Sequence, residues 1–200
     1  MRDLLAILPV PADAGRFEND PDAVAEVLIR LVGRKLIEVP SPLEAGLNLQ
    51  WGTHLCQFYR SQEELLELVV PFFNQGVREQ ERCIWVVTPP LGAEAARAAL
   101  LSAWPRFEHH ADQVSVHDYQ DLYLERQAWV QEERRALDQG YLGLRVVGDT
   151  KVLGVLAGLR VKALCTYPTE RCEVTRLRQA LANHDAAYVK QRNGWERILP

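Results

Sequence analysis

From Trp51 onward, short apolar runs alternate with longer stretches whose apolar positions recur at helical spacing. HLCQFY (54–59) reads as a strand. SQEELLELVVPFFNQGV reads as a helix, with Ser61 and Glu64 forming a capping box and Pro71 introducing a kink. CIWVVT (83–88) is continuously apolar, as expected of a strand buried on both faces. LGAEAARAALLSAW reads as an alanine-rich helix, QVSVHDY as a strand, and DLYLERQAWVQEERRALDQG as a long helix that Gly140 ends. LGLRVVGDT and VKALCTYP read as two more strands, followed by the helix EVTRLRQALANH. AAYVKQRNGWERI reads as a closing antiparallel hairpin with Asn193-Gly194 in the turn.

Alternating strands and helices predict an α/β fold with a mainly parallel sheet covered on both faces. In such sheets, ligands bind at the carboxyl ends of the strands. The positions to inspect are Phe58 to Ser61, Thr88, His117 to Tyr119, Gly148 to Thr150, and Thr166 with Tyr167.

The first fifty residues have a different texture. They are rich in proline (Pro9, Pro11, Pro21, Pro40, Pro42) and hold one convincing helix. Asp20 or Asp22 caps it, and Val24, Val27, Leu28 and Leu31 repeat along one face. A β-like run, LIEV, follows. Residues 1–50 are therefore expected to be a helical extension serving dimerisation or docking, and 51–200 the main domain. Arg30, Arg34 and Lys35 near the end of that helix suit a role in transmission or homodimer formation.

A net charge of −4 and a pI near 5.8 argue against nucleic acid as the main partner. No apolar run approaches the length of a membrane span, and the N-terminus lacks the pattern of a signal peptide, so no membrane association and a cytoplasmic location are expected. Cys56, Cys83, Cys165 and Cys172 form no C-x-x-C pair, and three of them fall in core strands, where a cysteine acts as a small hydrophobe. Nothing assembles a catalytic triad: G-x-S-x-G is absent, and Glu125, Glu132 and Glu133 lie on a solvated helix face.

The corner after the first strand reads F-Y-R-S-Q-E-E-L, where a phosphate loop would need glycines and a lysine. Free N–H groups at the helix N-terminus, with Arg60 beside them, suit an anion. Ser61 already serves those donors, however, and Glu63 and Glu64 repel phosphate, so structural capping is the favoured reading. His54 and Cys56 share one strand face, but a metal needs three or four ligands. His117, Cys83 and Cys165 have no fixed place in this reading. The expectation is a hydrogen-bonded histidine beside a core cysteine, with no metal and no cofactor. Phe58, Tyr59, Tyr119, Tyr123 and Tyr167 fall near strand ends, where they either line an apolar pocket with hydroxyl tips or cover the sheet edge.

An ordered set of segments runs through this chain: GTHLCQFY, S-x-E-E-L, ERCIWVV, Y-x-G-L-R-V-x-G-D-T at 141–150, ALCTY at 163–167, Asn183-His184 and K-x-R-N-G-W-E. This set resembles the MEDS domain, the methanogen/methylotroph DcmR-type sensory domain, over about 52–198. The resemblance implies a RecA-like fold without ATPase machinery. It also implies an input module of prokaryotic transcription regulators and histidine kinases that binds a small molecule such as a hydrocarbon derivative. On that reading the ligand-binding residues are His54, Phe58, Tyr59, Ser61, Tyr119, Asp149, Thr150 and Tyr167, and the output runs through a regulatory protein partner. Asp149 is also placed to cap a short helix.

The chain departs from the family pattern in two places. Only KVLGVLAGLR follows G-D-T where relatives carry a long helical stretch, and residues 1–50 hold no clear helix-turn-helix. Two other readings compete. A filled corner after Tyr59 would favour a protein-interaction module, and retained nucleotide binding would favour a degenerate ATPase.

Overall fold

The computed structural model describes residues 37–39, 48–119, 126–148, 156–171, 174–191 and 194–199. The helix expected around 22–31, together with Tyr123, Asp149, Thr150, Cys172 and Asn193, lies outside the described residues. The strands are β1 (Ile37–Val39), β2 (His54–Tyr59), β3 (Arg82–Val87), β4 (Val114–Asp118), β5 (Leu144–Gly148), β6 (Val161–Pro168), β7 (Ala186–Gln191) and β8 (Gly194–Ile198). The helices described are α1 (Gln62–Arg78), α2 (Ala93–Ala103), α3 (Arg126–Asp138) and α4 (Val174–Asn183). Among the described residues, no helix is long and apolar enough to cross a membrane.

One eight-stranded sheet runs in the order β1-β8-β7-β2-β6-β5-β3-β4. The pairs β7–β2, β2–β6, β6–β5, β5–β3 and β3–β4 are parallel, whereas β8 runs antiparallel to both β7 and β1. The expected α/β fold, its parallel sheet and its closing hairpin are therefore present. One detail of the hairpin differs: Gly194 pairs with Gln191 and opens β8 instead of sitting in the turn.

The burial pattern follows from strand alternation. Cys83, Trp85 and Val87 of β3 face α1 and α2, with Leu65, Leu68, Phe72, Ala96 and Leu100. Ile84 and Val86 face the opposite side, with Trp129 of α3 and Leu177 and Leu181 of α4. β3 is thus buried on both faces, as its unbroken apolar run requires. The thiol of Cys83 is pushed well above its ordinary pKa by burial, so it is an inert core group.

The C-terminal ends of α3 and α1 close by the same device. Tyr141 N–H bonds Ala136 O at 3.0 Å and Gly140 N–H bonds Leu137 O at 3.0 Å, with Gly140 at φ +90°. At the end of α1, Glu81 N–H bonds Gly76 O at 2.8 Å and Gln80 N–H bonds Val77 O at 3.2 Å. Here the left-handed residue is Gln80, at φ +55°, a conformation that costs a β-carbon about 1–2 kcal/mol. α1 itself runs unbroken through Pro71.

Under the end of α1 lies a buried cation. Arg145 of β5 is fully buried. Its guanidinium bonds the Glu81 carboxylate, Glu79 at 2.9 Å and the Phe72 carbonyl at 3.1 Å, and it lies 4.7 Å from the centre of the Phe72 ring. Lys162 of the neighbouring β6 reaches the same two carboxylates, at 2.5 Å and 2.6 Å. Gly76 makes room for this arrangement, since a Cβ there would meet Arg145 Cδ at 2.6 Å and Cys83 Sγ at 2.7 Å.

Buried Gly76 within α1 and exposed Gln80 just past its end should therefore respond in opposite senses. Gly76→Ala is expected to destabilise the fold by about 1–3 kcal/mol through overpacking. Gln80→Gly is expected to stabilise it by about 1 kcal/mol by removing the left-handed penalty. Urea unfolding of the two variants checks both signs, and a shared sign would contradict this account of the α1 end.

Candidate functional site

Adjacent strands β2 and β6 send the chain to opposite faces of the sheet. β2 leads into α1 on one side, and β6 leads through a short 3-10 turn (Thr169–Arg171) towards α4 on the other. A crevice must open between two such strand ends. The structure has a cavity of about 500 Å³ there. Tyr59, Arg60, Ser61 and Leu65 form one wall and Thr88 to Leu91 after β3 another. Tyr119, Thr166, Pro168, Glu170 and Arg176 complete the lining. The volume falls within the range of small-molecule sites, and the lining mixes apolar bodies with a few hydroxyls and charges, as such sites do.

The α1 N-terminus beside this cavity is already occupied by the chain itself. Ser61 Oγ accepts from Glu64 N–H at 3.3 Å. The Glu64 carboxylate accepts from Arg60 N–H at 2.9 Å and from the Arg60 guanidinium at 2.9 and 2.5 Å. This corrects the expected capping box, because the reciprocal bond from Glu64 reaches Arg60 N–H and not Ser61 N–H. The physical consequence is larger than the one-residue shift. A carboxylate from α1 lies beside the helix N-terminus, where its charge repels an anion, and it has taken the nearby cation. Gln57, fully buried in β2, adds a bond from its amide to Glu64 O at 2.8 Å.

Strand alternation sorts the other expected site residues. Tyr59, Ser61 and Tyr119 are brought together on the cavity wall. Phe58 and Tyr167, each one residue away from a wall position, point to the opposite face and stack in the core at 5.3 Å between ring centres. Asp149 and Thr150 lie outside the described residues. Asp118, the last residue of β4, caps α2 by accepting from Ala93 N–H at 2.8 Å. The walls formed by Thr88 to Leu91, Glu170 and Arg176 were not among the expected binding residues beyond Thr88. Their one sequence signal is position, directly after a strand or at the start of the next helix.

His54 is at the far end of β2, away from the cavity. Its backbone is held by Asp185, whose Oδ2 accepts from His54 N–H at 2.8 Å. Its ring Nε2 lies 2.9 Å from Cys165 Sγ, and its ring centre is 4.2 Å from that of His184. Burial, with the His184 ring adding to it, pushes the His54 pKa down to about 4. Burial also lowers that of His184. The partner of His54 is thus Cys165 across the parallel pair and not Cys56 on its own strand.

A mostly parallel α/β sheet with a cleft at its strand ends defines the class of the fold. The family profile described as MEDS, the methanogen/methylotroph DcmR sensory domain, matches residues 53–155, just over half of the chain. The chain belongs to the MEDS family, and MEDS is a family of sensory domains. No curated protein and no solved structure matches it significantly.

The corner makes a graded prediction. Ser61→Ala should cost about 1 kcal/mol, the usual value of a helix cap. Glu64→Ala should cost about 2–3 kcal/mol, because it removes charge-assisted bonds and strands the Arg60 N–H. Chemical denaturation of both variants reads the order, and a Glu64→Ala chain as stable as the parent would show that the carboxylate does not hold the corner.

Proposed function

We propose that this domain senses a small molecule held in the cleft at the carboxyl ends of β2, β3, β4 and β6. The cavity beside Tyr59 carries the reading. It lies at the crevice between strands whose connections diverge, it has ligand-scale volume, and it joins an apolar wall to hydroxyl groups. A ligand with a short apolar body and one or two hydrogen-bonding groups suits this lining, with Tyr59, Leu65, Pro89, Pro90 and Leu91 against the body. Thr88, Thr166 and Ser61 face its polar atoms. The domain is non-catalytic on this reading, works in cytoplasmic transcriptional or two-component regulation, and passes its state to a protein partner.

The corner itself is filled, which by itself would favour a pure interaction module. The cavity next to it is open, and that tips the reading to ligand uptake. Nucleotide does not fit the reading: the Glu64 carboxylate occupies the helix N-terminus, Arg60 is committed to it, and no phosphate-loop lysine is present. Magnesium ATP is expected neither to bind tightly nor to be hydrolysed.

Native mass spectrometry of gently purified chain, with a screen of short-chain alcohols, amines and carboxylates by ligand-observed NMR, tests uptake. Binding by the parent chain should fall at least about tenfold in Thr88→Phe, which fills the cavity, at unchanged thermal midpoint. No bound mass and no hit, or equal binding by a folded Thr88→Phe chain, would overturn the reading.

A further inference from the structure

On the sheet face opposite α1, a second group of side chains converges that the cleft does not use. His54, Cys165 and His184 each offer a ligating atom, and these atoms all lie within 4.8 Å of one another. They come from three elements: the start of β2, the middle of β6, and the link between α4 and β7. Cys165 is fully buried and His184 is 5% exposed, so this is no chance meeting of surface groups.

His184 carries the argument. Its Nδ1 bonds the Ala180 carbonyl at 2.5 Å. A carbonyl only accepts, so Nδ1 holds the proton and Nε2 bears a bare lone pair. That Nε2 is buried and has no hydrogen-bond partner among the described residues. Buried polar atoms are ordinarily satisfied, and an exception calls for a missing group. An imidazole whose far nitrogen donates to a carbonyl while its near nitrogen is bare is the arrangement of a metal-ligating histidine with its outer partner in place.

We infer that His54, Cys165 and His184 form a site for one thiophilic d10 cation, Cu⁺ or Zn²⁺. Bond lengths of about 2.0–2.3 Å set two ligand atoms on one ion roughly 3.3–3.8 Å apart. The 2.9 Å His54–Cys165 separation would open slightly and the wider ones close, by small ring rotations. On loading, the Cys165 thiol loses its proton to solvent as the sulfur–metal bond forms. Two neutral imidazoles and a thiolate give Cu⁺ a three-coordinate site of zero net charge, which suits a buried position. Zn²⁺ would retain one positive charge and need a fourth ligand, such as water. Partly exposed His54, beside the exposed residue Asp185, marks the way in. The site is separate from the cleft, so it stands or falls independently of small-molecule sensing.

The full chain, reduced and stripped of metal, would be titrated anaerobically with Cu⁺, and separately with Zn²⁺ and with Co²⁺ as its spectroscopic stand-in. The expected result is about one ion retained per chain after desalting and a rise in thermal midpoint. A thiolate charge-transfer band should appear with Co²⁺ if the site takes a divalent ion. His54→Gln, at the partly exposed position, and Cys165→Ser should each weaken retention at least about tenfold. X-ray absorption of the loaded parent chain, which needs no variant, should show one sulfur and two imidazole nitrogens, with a fourth light ligand only for Zn²⁺. Folded chain that retains neither ion, a shell without that sulfur or with more than one, or retention unchanged in folded His54→Gln and Cys165→Ser would each overturn the site.

Discussion

The fully buried guanidinium of Arg145 is the constraint around which the α1 face of the sheet is built. A cation taken out of water must be surrounded by acceptors, and here α1 and the turn after it supply them. Glu79 and Glu81 lie just past the end of α1, the Phe72 carbonyl lies within it, and Lys162 on the next strand shares both carboxylates. Losing either Arg145 or Glu81 alone would unbalance the buried network by one charge, and breaking a buried pair in this way costs about 3–5 kcal/mol in proteins. Glu79, nearer solvent, is held below the usual carboxylate range: burial pulls it up, but Lys162, Gln75 and Arg145 outweigh that. Because Arg145 and Lys162 sit side by side in the β5–β6 register, the network also locks α1 to the centre of the sheet.

That anchoring matters at the other end of the same helix. With the C-terminal end of α1 tied down at Arg145, its N-terminus is fixed against the end of β2, where Glu64 turns back onto Arg60. The hairpin adds a third hold, since Glu67 accepts from Lys190 at 2.6 Å and from Trp195 Nε1 at 2.9 Å. The corner that holds phosphate in other α/β proteins is thus a rigid, self-neutralised wall. Beside it, the divergence of the β2 and β6 connections leaves the open volume that the sensory reading uses. The two faces of the sheet then have different chemistry. The α1 face carries the ionic network, and the opposite face carries Phe58, Tyr167 and the His54–Cys165–His184 group.

Much of the fold was legible in the chain because its signals are local. The continuous apolar run CIWVVT, the Ser61 cap, Gly140 at a helix end and the alternation of strand with helix each depend only on near neighbours. Tyr59, Ser61 and Tyr119 could be placed at strand ends on the same grounds. Phe58 and Tyr167 share that position along the strand, and alternation sends them to the other face, a distinction that needs the sheet's orientation relative to its helices.

The sequence by itself determined the α/β class, the family and the absence of a phosphate loop, because composition, periodicity and ordered motifs carry those. Only the tertiary structure decided which residues meet. Arg145 reads as a stray charge in an apolar strand until the end of α1 brings Glu79 and Glu81 over it. His54 and His184 stand far apart in sequence and join Cys165 only because β7 pairs directly with β2. Sequence motifs record what a residue does for its neighbours in the chain. Partners that the sheet order brings from elsewhere leave no such record, since the free energy of their contact depends on the whole chain having folded.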